Sequence, residues 1–145
     1  MSDDKIVRVS RMIPAEPQAI FDLLADPRRH ADIDGSGSVK AARVNAPERL
    51  SLGARFGMDM RIGLPYRITN EVVEFDEPRQ IGWRHFGGHV WRYRLEPAEG
   101  GTLVTEEFDW STNKSPIMLK VMKATERNRV AMEATLKRLE TLFSS

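Results

Sequence analysis

Residues 115–143 constrain this chain more than any other stretch, because they read as one long helix with a single apolar stripe. Ser115 can cap the helix, and Pro116 fits its first position, where no backbone donor is needed. Met118, Met122, Thr125, Asn128, Met132, Leu136, Leu139 and Phe143 then follow at three- and four-residue steps. Lys120, Lys123, Arg127, Glu133, Lys137 and Glu140 fall on the other side, with Glu133 and Lys137 at ion-pair spacing. A helix with one apolar face needs an apolar surface to lie on. Residues 40–111 alternate as short strands, so the expected partner is a sheet that wraps the helix. Thr125 and Asn128 make the stripe polar at its centre. Such groups are costly in a dry core, so they either touch a wet cavity or rotate outward.

The sheet is read from the N-terminus. Residues 5–13 alternate as a strand that Pro14 ends. Pro17 opens a helix carrying Ile20, Phe21, Leu23 and Leu24, and Asp26-Pro27 closes it while capping a second short helix through His30 and Ile33. His30 is expected on the surface. Asp34-Gly35-Ser36-Gly37-Ser38 is a turn into a strand over 39–44. After Gly53, Phe56, Met58, Met60 and Ile62 share one face; beyond the turn at Gly63-Leu64-Pro65, Tyr66, Ile68, Asn70 and Val72 continue it.

The turn at Gly87-Gly88 decides the register of the next hairpin. A two-residue loop sets Arg84 opposite Trp91 and Gly82 opposite Tyr93, whereas a three-residue loop with a glycine bulge sets Trp83 opposite Trp91 and Ile81 opposite Tyr93. The second gathers apolar residues on one face and Arg84, Arg92 and Arg94 on the other, and is the expected register. A four-residue loop over 98–101 then pairs Leu95 with Val104, Tyr93 with Glu106 and Trp91 with Phe108. The inner rows are Ile81, Tyr93 and Glu106; Trp83, Trp91 and Phe108; and, at the rim, His85, His89 and Trp110.

Composition narrows the function. A chain of 145 residues suffices for one domain, 1–145. Lys and Arg number 22 against 21 Asp and Glu, so no strong field recruits nucleic acid or an anionic membrane. Without cysteine there is no disulfide, thiolate nucleophile or cysteine metal site. No apolar run is long enough for a signal peptide or membrane span, so a soluble cytoplasmic protein, monomer or homodimer, is expected. Gly35-Ser36-Gly37 lacks the Gly-Lys-Ser/Thr of a phosphate loop, no serine sits in a nucleophile elbow, and His85 with His89 lack a third metal ligand. No cofactor and no metal are expected.

The order of strand, two helices, six strands and long helix is an α+β arrangement. The residues that carry a resemblance are Ile13-Pro14-Ala15-Glu16-Pro17-Gln18-Ala19-Ile20-Phe21-Asp22-Leu23-Leu24-Ala25-Asp26-Pro27, the turn Asp34-Gly35-Ser36-Gly37 and Gly100-Gly101-Thr102 before a strand. Together with the element order they resemble the START-like (SRPBCC) helix-grip superfamily, and are most similar to its polyketide cyclase/dehydrase group. The resemblance implies a curved antiparallel sheet of about seven strands gripping the C-terminal helix, with a cavity between them for a small hydrophobic, lipid-like or polyketide-like ligand. It implies no particular catalytic residue, since the shared segments are structural. Similar chains include aromatase/cyclases, lipid carriers and co-chaperones, so an enzyme or a protein-interaction module stands beside the binding protein as an alternative.

The candidate residues come from the inferred inner face. Met58, Met60, Met118 and Met122 with Trp83, Trp91, Phe108 and Trp110 would line a pocket that adapts to its guest, although such stripes also fill ordinary cores. Asn70, His85, Thr125 and Asn128 would add polar contacts. Glu106, opposite Tyr93 among aromatic neighbours, is the candidate acid or base, with Tyr93 as its partner in catalysis. The other reading has Glu106 and Glu107 exchanged in facing, or Glu106 in an ordinary edge salt bridge.

Overall fold

A computed structural model of the chain describes residues 5–33, 39–42, 48–62, 64–85, 88–111 and 124–144, with side chains described except at 31, 39–42, 58–62, 64–68, 124 and 125. The strands are β1 (Ile6–Ile13), β2 (Val39–Ala42), β3 (Arg55–Ile62), β4 (Leu64–Asp76), β5 (Gln80–His85), β6 (Val90–Ala98) and β7 (Gly101–Asp109). They form one sheet of seven strands in the order β1-β7-β6-β5-β4-β3-β2, every neighbouring pair antiparallel. Between β1 and β2 run α1 (Pro17–Leu24), a 3-10 turn (Pro27–Arg29) and α2 (His30–Ile33); α3 (Ala124–Leu142) follows the sheet. The expected helix-grip order of elements is present. Residues 112–123, which include the expected start of the long helix, lie outside the described residues.

Local chemistry explains the helical segment. Pro17 presets the backbone angle of the first turn of α1, and Ile20, Phe21, Leu23 and Leu24 bury one face of it. The Asp26 carboxylate accepts the backbone N–H of Arg28 and caps the 3-10 turn. α1 rests on β5 and β6, and its Phe21 meets Phe75 of β4 edge-on at 5.4 Å. α3 lies along β1 and β7. It buries Met132 against Val7, Phe108 and Trp110, and sends Leu136 and Leu139 into the larger core cluster. Arg11 of β1 holds the far end of this helix through Glu140, at 2.6 Å.

The hairpin register is the expected one. Trp83 pairs with Trp91 and Ile81 with Tyr93. His85 donates its backbone N–H to the His89 carbonyl at 2.9 Å, and Gly88, at φ 101, closes the three-residue loop in the left-handed region. The following loop is shorter than expected. Ala98 pairs with Gly101, so only Glu99 and Gly100 form the turn, while Leu95–Val104, Tyr93–Glu106 and Trp91–Phe108 pair as expected. Gly100 takes the left-handed turn position at φ 88. Gly101 is needed for another reason: a Cβ there would run into the Ile13 carbonyl oxygen.

Strand β4 contains a feature that alternation alone misses. Its pairing with β5 slips between Val72 and Glu74, so Val72 opposes Trp83, Glu74 opposes Gly82 and Phe75 opposes Ile81. The extra residue, Val73, reverses the facing beyond it. Phe75 therefore joins the inner face and Glu74 turns outward, where a side chain on Gly82 would approach its Oε1 within 2.8 Å.

The outer face is organised around Arg92. Its guanidinium grips Glu74 through two bonds of 2.8 Å and reaches Glu107 at 3.0 Å and Asp109 at 3.2 Å. Arg8 adds a 2.7 Å bond to Glu107, and Arg94 approaches it at 3.4 Å. Burial disfavours the charged form of Glu74, Glu107 and Asp109, yet hydrogen bonds from Arg92, Arg8, Gln80 and Ser111 outweigh it and hold all of them below their ordinary values. These depressed pKa values stabilise the fold above the unfolded values of 4.5 and 3.8, and that contribution is lost as pH falls through the lower folded values. Arg92→Met leaves the carboxylates without their central cation and is expected to cost about 3 kcal/mol in denaturant unfolding at neutral pH. The deficit should shrink in acid, where the wild-type pairs are also lost.

Candidate functional site

The concave face is a grid whose rows are set by strand pairing. One row runs Phe75, Ile81, Tyr93, Glu106 and Val9; the next runs Val72, Trp83, Trp91, Phe108 and Val7. Asn70 pairs with His85 in the rim row, which continues through His89 and Trp110. Of the residues expected here, Glu106, Tyr93, Asn70, Trp83, His85, Trp91, Phe108 and Trp110 all stand on this face. The side chains of Met58, Met60 and Thr125, and the whole of Met118 and Met122, lie outside the described residues. Asn128 is half-buried on the first turns of α3.

Tyr93 and Glu106 form the polar centre. They are cross-strand partners, 5% and 4% exposed, and the Tyr93 hydroxyl donates to Glu106 Oε2 at 3.1 Å. Glu107 is equally buried but belongs to the outer network. The facing of the two glutamates is therefore the one the hairpin register predicts.

Aromatic rings surround this pair. Trp83 meets Phe56 edge-on at 5.7 Å and Tyr93 at 5.9 Å. His30 corrects the sequence reading, which placed it on the surface. It is 8% exposed, stacks on Trp83 at 4.8 Å and puts Nε2 2.9 Å from the Leu24 carbonyl. That carbonyl ends α1 and needs a donor, which the ring supplies as it folds inward. Thr135 was also missed. It is buried on α3 one helical turn from Met132 and Leu139, a spacing that marked it as inward-facing.

Nearer the rim, Trp91 packs against Phe108 at 4.6 Å, His89 touches Phe108 at 5.1 Å, and the His85 and His89 rings stack at 4.6 Å. Burial lowers the His85 pKa; burial and the neighbouring His85 bring His89 down to about 4. Both rings are neutral at neutral pH. Among the described residues, Asn70 Oδ1 and Trp110 Nε1 are buried with no hydrogen-bond partner. No three His, Asp or Glu side chains among those residues converge as a metal site. A groove of about 710 Å³ runs along the outer face between Arg55, Glu71, Arg84, Arg92 and Asp109 and reaches Asn70 and His85 at the rim. Its described lining includes neither Tyr93 nor Glu106.

A depressed histidine pKa destabilises the fold in acid, since the unfolded chain binds the proton more readily. Stability is expected to fall from His89 as pH drops from its ordinary 6.5 towards about 4. Thermal melts of His89→Phe across that window should show a shallower decline than wild type; parallel declines would contradict the assignment.

The sequence matches the family model described as "Polyketide cyclase / dehydrase and lipid transport" over residues 5–144. An uncharacterised protein of Mycobacterium tuberculosis is 37% identical over 94% of the chain, which spans 64% of that relative's length. Among solved structures, a Chromobacterium violaceum protein superposes with TM-score 0.72 at 15% identity, covering 98% of this chain and 99% of its own. An AHSA1-like protein of Aeromonas hydrophila gives 0.66 at 19% identity, covering 94% and 93%. These likenesses establish the helix-grip fold. No helix among the described residues is long and apolar enough to cross a membrane.

Proposed function

The chain belongs to the polyketide cyclase / dehydrase and lipid transport family, and from that premise we propose that it binds a small, mostly apolar organic molecule against the concave face of its sheet, under the C-terminal helix. The observation that carries this reading is the mixture of groups on that face. Trp83, Trp91, Phe108 and Tyr93 surround a buried carboxyl group, while Asn70 Oδ1 and Trp110 Nε1 are buried without partners among the described residues. A core built for stability alone gains nothing from such atoms, each of which costs about 1–3 kcal/mol when left unsatisfied. A hydroxyl of a bound molecule could donate to Asn70 Oδ1, and a hydroxyl or carbonyl oxygen could accept from Trp110 Nε1. In this reading residues 1–145 act as one domain, a cytoplasmic monomer or homodimer, with Met58, Met60, Met118, Met122, Thr125 and Asn128 completing the enclosure.

The Tyr93–Glu106 contact favours a second reading, an enzyme of cyclisation or dehydration. Glu106 would take a proton from the carbon beside a ligand carbonyl as the electron pair moves onto the carbonyl oxygen, with Tyr93 and Asn70 orienting the groups. A protein-interaction module of the AHSA1-like kind is less well supported, because the outer face is lined with paired charges.

Native mass spectrometry tests the binding reading. The purified protein, or the protein offered a panel of aliphatic and aromatic ligands, is expected to carry one small organic molecule per chain. Glu106→Gln should keep that molecule; loss of turnover with binding retained would select the enzyme. A protein that stays empty across the panel, with unchanged tryptophan emission, would overturn the proposal.

A further inference from the structure

The outer groove has one end where charges balance and one where they do not. Arg92, Arg8 and Arg94 face Glu74, Glu107 and Asp109, three cations against three carboxylates, so the Arg92 end is satisfied. At the other end Arg55 opposes Glu71 across β3 and β4, and Glu71 opposes Arg84 across β4 and β5, so two guanidinium groups flank one carboxylate. Arg84, its side chain 51% exposed, comes no nearer to Glu71 than 3.7 Å. Arg55 is exposed and makes no ion pair among the described residues. We propose that this end of the groove binds the phosphate group of a small soluble phosphomonoester between Arg55 and Arg84. The site shares none of the aromatic residues of the concave face, so it stands or falls apart from the ligand expected there.

Charge and geometry select the guest. Two strand spacings set the Arg55 and Arg84 backbones about 10 Å apart on either side of Glu71. Arginine side chains are long enough to turn toward one another over that gap, and a phosphate dianion offers three terminal oxygens to their two planar forks. A carboxylate is used up by one such fork and would leave the second guanidinium idle. There is room for the approach. Gly57, next after Arg55 on the same face of β3, carries no side chain, and Thr69, its partner on β4, brings an exposed hydroxyl to the groove.

The groove, at about 710 Å³, is far larger than a phosphate alone, and Gly88 and Val90 of the β5–β6 hairpin give it a low floor for the rest of an ester. An anionic membrane fits less well. Glu74 and Asp109 line the same groove, and the whole chain carries a net charge of only +1. Glu71 works against the guest, because its carboxylate repels a phosphate seated between its neighbours. Removing that charge should therefore tighten binding, an effect that a merely structural role for Glu71 would not produce.

The test is a titration of nitrogen-labelled protein with glycerol 3-phosphate at constant ionic strength near neutral pH, with glycerol as the uncharged control. The Nε–Hε signals of Arg55 and Arg84 should shift saturably with the phosphate and stay in place with glycerol, while the Trp83, Trp91 and Trp110 indole signals do not move. Arg55→Gln and Arg84→Gln should each weaken binding by about tenfold. Glu71→Gln should tighten it by about threefold. Arg55 makes no ion pair among the described residues, so Arg55→Gln carries the test even if another variant fails to fold. Shifts that never saturate, an unchanged affinity in Arg55→Gln, or weaker binding in a folded Glu71→Gln overturn the inference. Binding confined to vesicles containing phosphatidic acid also overturns it, since the guest would then be a lipid headgroup. Indole shifts without arginine shifts would put the phosphate on the concave face and overturn it equally.

Discussion

Two consecutive carboxylates, Glu106 and Glu107, are buried on opposite faces of β7, and the rest of the molecule is arranged to permit it. A strand sends neighbouring side chains to opposite sides, so each glutamate needs its own solution to the cost of burial. Outside, Arg92 and Arg8 supply charge and hydrogen bonds to Glu107. Inside, a tyrosine hydroxyl reaches Glu106 within an aromatic surround. One glutamate is thereby committed to structure and the other is left in an environment suited to chemistry or recognition.

The bulge at Val73 links these two solutions. By reversing the facing of β4 it sends Glu74 out to Arg92 and brings Phe75 in to Phe21. Gly82 then leaves the space that the Arg92–Glu74 pair occupies. Helix α1 covers the Phe75 end of the concave face and α3 covers β1 and β7. The Asn70, His85, His89 and Trp110 row lies at the other end of the grid, where the buried polar atoms collect.

Much of this was legible in the sequence, for physical reasons. The facing of Arg84, Arg92 and Arg94 against Trp83, Trp91 and Tyr93 admits one hairpin register, because a slip by one residue exchanges the two faces. That choice propagates through Leu95, Val104, Glu106 and Phe108. What stayed hidden depends on contacts distant in the chain. His30 looks like a surface residue until the Leu24 carbonyl and the Trp83 ring are brought beside it. The bulge at Val73 was masked because Val72, Val73 and Phe75 are apolar in either facing. The turn at Glu99-Gly100 is shorter than the sequence suggests, because nothing local shows that Gly101 must pass close to Ile13.

The central claim is that the concave face receives a ligand at its polar rim. Proton–nitrogen correlation spectra of the tryptophan indoles test it most directly, since Trp83, Trp91 and Trp110 all stand on that face. On titration with a bound aromatic alcohol, the Trp110 indole proton should move downfield as it gains an acceptor, and the Trp91 signal should shift with ring contact. Saturable binding that leaves all the indole signals in place, and perturbs the arginines of the outer groove instead, would contradict the account.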